Sequence, residues 1–384
     1  MGVLAAAAGL MLASCAPPWL GARPALVPIA ATQSAAPAAT ASATAPAGPP
    51  APPLGAQAPV TALVPYTGSV RHIFFHPLVA YPSRAFGHRP MAAGMDEWFI
   101  TVDEFRRILP QLYANGYILV DVHDLFRERS DGGKTVLAPK QLMLPPGKKP
   151  LILSVDDINY YQYMQQNGTV DQLVLDAKGQ VAAYSVDSAG RAVISREDAI
   201  VPILDQFVAA HPDFSWHGAK GLLNVTGYQG ILGYRTGTGR TASPDQAAAQ
   251  QDARAVVQRL EATGWTFAAH GWGHLNAQTV SYATLVRDTL RWVAEVEPLV
   301  GKTDVYVYPF GASLVPGSRK FDFLLSQGFH IFFGVGPRPA LHLTSSYLTM
   351  DRVHVDGLAL ETQPKMLAPY FAAGTVLDRA ARGR

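Results

Sequence analysis

Between residues 245 and 335 the chain repeats one pattern three times: a helical stretch, a glycine, then a short apolar run. The stretch 245–263 stops at Gly264 before Trp265–Ala269, and the stretch 281–300 stops at Gly301 before Asp304–Tyr308. A third, around 318–327, stops at Gly328 before Phe329–Val335. Glycine closes helices because it takes the left-handed cap conformation without steric cost. Helices alternating with buried strands build a parallel sheet covered by helices. The pattern predicts an α/β fold, an irregular (β/α) barrel of about six to eight strands.

The first half of the chain fits the same frame. Arg71–His76 reads as a first strand, opened into a loop by Pro77. Thr101-Val102-Asp103-Glu104 has the form of a capping box. Behind it Phe105, Ile108, Leu109, Leu112 and Tyr113 share one helical face up to Gly116, with a kink expected at Pro110. Tyr117–Val122 and Leu151–Val155 read as strands, followed by a helix over 198–210 and strands at Lys220–Thr226 and Leu348–Val355. The alternating region 168–198, with Asp-Ala-Lys-Gly and Asp-Ser-Ala-Gly turns, reads as an inserted β-meander.

The N-terminal region has a different character. Residues 1–15 are small and apolar and end in Leu12-Ala13-Ser14-Cys15, which resembles the lipobox of a bacterial lipoprotein signal. Cys15 is the only cysteine, so no intrachain disulfide and no cysteine-rich metal site is available. Residues 16–66 are mostly Ala, Pro, Thr and Gly and read as an extended linker. The layout expected is a signal at 1–15, a linker at 16–66, a catalytic domain at 67–370 and a tail at 371–384. A formal net charge of +2 gives no reason to expect nucleic acid as a partner, and no protein partner is evident. The expected location is exported, anchored to a membrane through a lipidated Cys15 on the outer face of a bacterial membrane.

Chemistry concentrates at three strand ends. The run Leu151–Val155 ends in Asp156 and Asp157, two like charges that repel unless a cation or a proton takes up part of the charge. Trp265–Ala269 leads to His270-Gly271-Trp272-Gly273-His274, two imidazoles four apart on a glycine-broken loop. Asp304–Tyr308 leads to Pro309-Phe310-Gly311. In a parallel barrel all three ends open on one face. Two histidines and one aspartate leave coordination positions open, as a hydrolytic metal site requires.

Ser-Val-Asp-Asp (154–157), His-x-x-x-His (270–274) and Tyr-Pro-Phe-Gly (308–311), in this order, resemble the polysaccharide deacetylases of carbohydrate esterase family 4, the nodulation-type chitooligosaccharide deacetylase homology domain. The resemblance covers about residues 70–360. It implies Asp156 as general base, with Asp157, His270 and His274 as ligands of a divalent metal, Zn2+ first and Ni2+, Co2+ or Mn2+ as alternatives. It also implies that the turn Pro309, Phe310, Gly311 lines the substrate groove and offers the Phe310 N–H to an oxyanion.

Two departures stand out. Ile158-Asn159-Tyr160-Tyr161 follows the acidic pair where the family usually has glycine. Val307 stands where the family keeps an arginine that orients the base, and Arg352, ahead of Arg235, is the candidate replacement. For the general acid, Phe74-Phe75-His76-Pro77 is similar to an early motif of the poly-N-acetylglucosamine deacetylase branch, so His76 is preferred, with His354 of a late motif as the alternative. Trp272, Tyr160, Tyr161 and Phe310 are expected to be exposed enough to stack on sugars.

The expected activity is removal of acetyl groups from an N-acetylated, N-acetylglucosamine-containing polysaccharide. An O-acetyl esterase of the xylan type uses the same site, and a glycan-binding protein without turnover is the alternative raised by Val307. Non-haem iron oxygenases also use two His and one carboxylate, in a ligand order this chain lacks.

Overall fold

Seven strands close into a parallel barrel in the order of the chain. They are β1 (Arg71–Phe75), β2 (Lys149–Val155), β3 (Gly221–Val225), β4 (Trp265–Ala269), β5 (Val305–Val307), β6 (Ile331–Val335) and β7 (Leu348–His354), with β7 paired back to β1. Tyr117–Leu119 runs parallel to the first half of β2, and Leu341–Leu343 runs antiparallel to β7. The structure, a computed structural model, describes residues 62–187, 189–238 and 242–384. The signal-like segment, Cys15 and the linker up to residue 61 lie outside the described residues. No helix among the described residues is long and apolar enough to cross a membrane.

Five helices pack on the strands: α1 (Val102–Ala114), α2 (Ile200–Ala210), α3 (Gln246–Ala262), α4 (Tyr282–Glu295) and α5 (Arg319–Ser326). Side chains alternate between the two faces of a strand. One face gathers Leu153, Val155, Leu223, Val225, Tyr306 and Phe332 with Phe105, Ile108, Val256, Leu285 and Phe321 of the helices. The other face gathers Ile152, Leu222, Ala268, Val307, Phe333 and Met350, which fill the barrel. Asp156, Asn224, His270 and Arg352 continue this second set toward the strand C-termini, each under 5% exposed. Polar groups so deeply buried cost stability unless they bond to one another, so the top of the barrel must be a hydrogen-bonded layer.

Local signals in the sequence hold where the chain pairs with its near neighbours. Thr101 and Glu104 form the capping box of α1, and the helix runs on through Pro110. The meander forms from Gln172–Leu175, Val181–Val186 and Ala192–Ser195, three antiparallel strands. Two expectations need correction. The strand expected over Tyr117–Val122 ends at Leu119, because Asp121 caps a short 3-10 turn over Val122–Leu125. The helix expected over 281–300 breaks after Glu295, and a separate turn, Glu297–Val300, follows. Pro298 lacks the N–H that a continuous helix needs there.

A hairpin, Phe126–Asp131 with Lys134–Pro139, was not read from the sequence. Its two-residue turn, Gly132-Gly133, has positive φ at both positions, the geometry of a tight hairpin turn. Residues 371–384 pack on the body: Ala373–Val376 is helical, and buried Arg382 donates to Glu104 and Asp96.

Candidate active site

Asp156 sits directly beyond β2, its N–H donating to the Phe75 carbonyl at 2.8 Å. Its carboxylate is gripped from two other strands. Arg352 of β7 donates Nη1 to Oδ1 at 2.6 Å and Nη2 to Oδ2 at 3.0 Å, and the Asn224 amide of β3 donates to Oδ1 at 2.5 Å. Arg352 is itself fully buried and also donates to the Gly334 carbonyl (3.2 Å) and Ser154 Oγ (3.1 Å). Burial pushes the Asp156 carboxyl up, but the Arg352 guanidinium overrides it and holds the group well below the usual carboxylate range. Asp156 is therefore an anion at every ordinary pH.

Asp157 turns away from its neighbour because its backbone takes φ 55°, in the left-handed region. It faces the two histidines. His274 Nε2 lies 3.7 Å from Asp157 Oδ2, and His270 Nε2 lies 4.0 Å from Asp157 Oδ1. His270 donates Nδ1–H to the Val307 carbonyl at 2.9 Å, which leaves Nε2 with its lone pair toward the cluster. Burial lowers His270 to about 4, against the pull of Asp156, so the imidazole is neutral at pH 7. Asp157, His270 and His274 each offer one ligand atom, all within 4.8 Å of one another. Donors bound at about 2 Å around one tetrahedral cation stand roughly 3.3 Å apart. The donor types, the neutral imidazole and the spacing fit a divalent metal of the kind used by metal-dependent hydrolases.

The His270–His274 loop is shaped by α4. Asp288, buried on that helix, accepts the N–H groups of Trp272 (2.8 Å) and Gly273 (2.7 Å), one on each oxygen. Gly271 has φ 66°, and a Cβ there would stand 2.9 Å from Asp288 Oδ2. Trp272 is held rather than free: its indole donates to Glu295 at 2.9 Å, and the Arg291 guanidinium lies 3.4 Å above its ring.

The turn Pro309–Gly311 follows β5, with Phe310 at φ 60°. Phe310 is 48% exposed and sets its ring edge-on to His274 at 4.6 Å. Of the four aromatics expected to be exposed, Phe310 alone is open in this way. Tyr160 and Tyr161 are 1% and 2% exposed, because the segment after Asp157 dives into the core instead of lining the mouth.

The two candidate acids differ in what surrounds them. His76, just past β1, packs between Phe74 and Phe99 at 5.9 and 5.6 Å, and neither ring nitrogen bonds to a described residue. His354 has both nitrogens engaged, Nδ1 with Asp356 at 2.7 Å and Nε2 with Gln363 at 3.2 Å. Burial lowers its pKa, but the bond to Asp356 outweighs this and raises it.

Arg235 lies away from Asp156. It bonds the Gln229 and Tyr160 carbonyls and the Gln165 side chain, bracing two loops. Asn224 and Asp288 were not read from the sequence. Asn224 left a signal, an amide inside the apolar run Gly-Leu-Leu-Asn-Val (221–225). Asp288 left a fainter one, a carboxylate on the buried face of α4 with Leu285 and Trp292.

No family model matches the chain, and no curated protein does. Among solved structures it is similar to a deacetylase from Streptococcus pyogenes in complex with acetate, with 12% identity over 80% of this chain and 99% of that one, at a TM-score of 0.41. It is also similar to a de-N-acetylase from Aggregatibacter actinomycetemcomitans, with 14% identity over 79% and 99% of the two chains, at 0.42. A polysaccharide deacetylase from Bacillus cereus shares 13% identity over 78% and 67%, at 0.40. The site rests on its own geometry.

Proposed function

We propose that the chain is a metal-dependent polysaccharide deacetylase of the carbohydrate esterase 4 type, removing acetyl groups from an N-acetylglucosamine-containing glycan. The observation that carries this reading is the pairing of two unlike carboxylates: Asp157 within a cluster of ligand atoms, and Asp156 beside it, ionised and gripped by Arg352.

Asp157, His270 and His274 would hold a divalent cation, zinc by its suitability for two imidazoles and a carboxylate, which would supply Lewis acidity toward a water and the acyl oxygen. Asp156 takes the proton of the attacking water as base, and Arg352 and Asn224 hold its carboxylate in one orientation. Arg352 thus does from β7 what the family's arginine does from the position of Val307, which favours turnover over binding alone. The Phe310 N–H stabilises the oxyanion. His76 protonates the leaving nitrogen as the C–N bond breaks, releasing acetate and an amine. His354, with both nitrogens committed, is structural. The apolar Leu12–Cys15 signal supports an exported, lipid-anchored protein.

The test is direct. Purified protein is expected to bind one divalent ion and release acetate from an N-acetylglucosamine oligomer. Failure to bind metal at micromolar concentration overturns the reading, and preference for an acetyl ester over the amide redirects it to O-deacetylation.

A further inference from the structure

The segment Ile158-Asn159-Tyr160-Tyr161 has no part in the chemistry above, yet it is buried and hydrogen-bonded directly beside the acidic pair. Ile158 and Asn159 are fully buried, and their carbonyls accept the Leu232 and Gly233 N–H groups at 3.1 and 3.0 Å. The Asn159 side chain accepts from Thr226 N at 3.1 Å and donates to the Thr226 and Gly230 carbonyls. Tyr160 takes φ 50°, which reverses the chain. The reversal brings the Tyr161 hydroxyl to 2.8 Å from Asp157 Oδ1 and 2.6 Å from Thr226 Oγ1. The Tyr228 ring stacks on Tyr161 at 4.6 Å and closes its outer face.

The hydrogen-bond directions follow from the chemistry of the groups. An ionised carboxylate only accepts, so the single phenol proton goes to Asp157 Oδ1. The Tyr161 oxygen then accepts from the Thr226 hydroxyl, and the chain runs one way from Thr226 through Tyr161 to Asp157. With Oδ1 held by the phenol, Oδ2 is the oxygen turned to His274, the nearer of the two contacts between Asp157 and the imidazoles.

We infer that Tyr161 is a positioning residue that orients Asp157 for the metal, with Thr226 and Asn159 fixing the phenol. This rests on Asp157 being a ligand. Hydrogen-bond partners of ligands set metal affinity, and losing one costs about 10- to 100-fold.

The experiment measures Zn2+ affinity by competition with a chromophoric chelator, and the absorption of the Co2+-loaded protein, for the full chain. If the wild type binds no metal, the functional reading fails and Tyr161 has nothing to position. If it binds, Tyr161→Phe is expected to raise the Kd about 10- to 100-fold and shift the Co2+ bands. Thr226→Val, which leaves Asp157 and the phenol in place, is expected to raise it by less. Tyr160→Phe, whose hydroxyl is buried without a partner, serves as the control and keeps the wild-type Kd. Wild-type affinity and spectrum in Tyr161→Phe overturn the inference. So does equal weakening by Tyr160→Phe. If Tyr161→Phe does not fold, wild-type affinity in Thr226→Val overturns it.

Discussion

Arg352 and Asp156, separated by 196 residues, meet inside the barrel as a two-pronged ion pair at 2.6 and 3.0 Å, with the arginine fully buried. A buried pair is costly to break, because the remaining charge loses both partner and solvent. Arg352→Met is expected to destabilise the fold by about 3–5 kcal/mol at pH 7. The depressed Asp156 carboxyl contributes stability above the unfolded carboxyl value of about 3.9 and loses it as pH falls toward the lower folded value. In the variant Asp156 keeps the Asn224 amide but loses its charged partner, and it protonates more readily. Urea unfolding across pH should therefore show the gap between wild type and variant narrowing as pH falls through about 4. Arg352→Lys retains charge but loses the fork, and kcat is expected to fall with little change in KM.

His270 adds a second loss of stability on the acid side, at higher pH, in the metal-free protein. Burial lowers it to about 4, so between pH 6.5 and 4 the unfolded chain takes up a proton that the folded chain refuses. Stability contributed by the neutral imidazole is present above 6.5 and lost as pH falls to about 4, a change of about 3 kcal/mol. Chelator-treated His270→Phe should lack this step. An unaltered acid limb would remove the assignment.

The two histidines separate kinetically. His76→Ala is expected to lower kcat about 100- to 10,000-fold on an amide substrate. His354→Ala, which frees Asp356 and Gln363, is expected to lower the melting temperature while retaining most of kcat. Reversal of these outcomes in a paired rate and melting series assigns the acid to His354.

Asp288→Asn probes the frame of the metal loop. An amide offers one acceptor where the loop presents two N–H groups, so one of Trp272 N–H and Gly273 N–H loses its partner. The expected cost is about 1–3 kcal/mol of stability, with weaker metal binding as His274 is released. Calorimetry and a metal titration on the same sample test both. An undisturbed Kd would leave Asp288 a purely structural group.

The legible part of this protein is what neighbouring residues determine. The glycine-closed helices, the capping box at Thr101 and Glu104, the strand ends at Asp156, His270 and Pro309, and the meander between Gln172 and Ser195 all follow from local spacing and hydrophobic period. Local spacing was enough to read a parallel β/α barrel of six to eight strands and the three strand ends that bear Asp156, His270 and Pro309. The strand order, and which arginine reaches Asp156, came from closure of the barrel: β7 becomes the neighbour of β1, and Arg352 enters the lumen two strands from the acid. Burial decided the rest. Tyr161 has the composition of a surface stacker, but the reversal at Tyr160 buries it against Asp157, a consequence of backbone geometry that no side-chain pattern encodes.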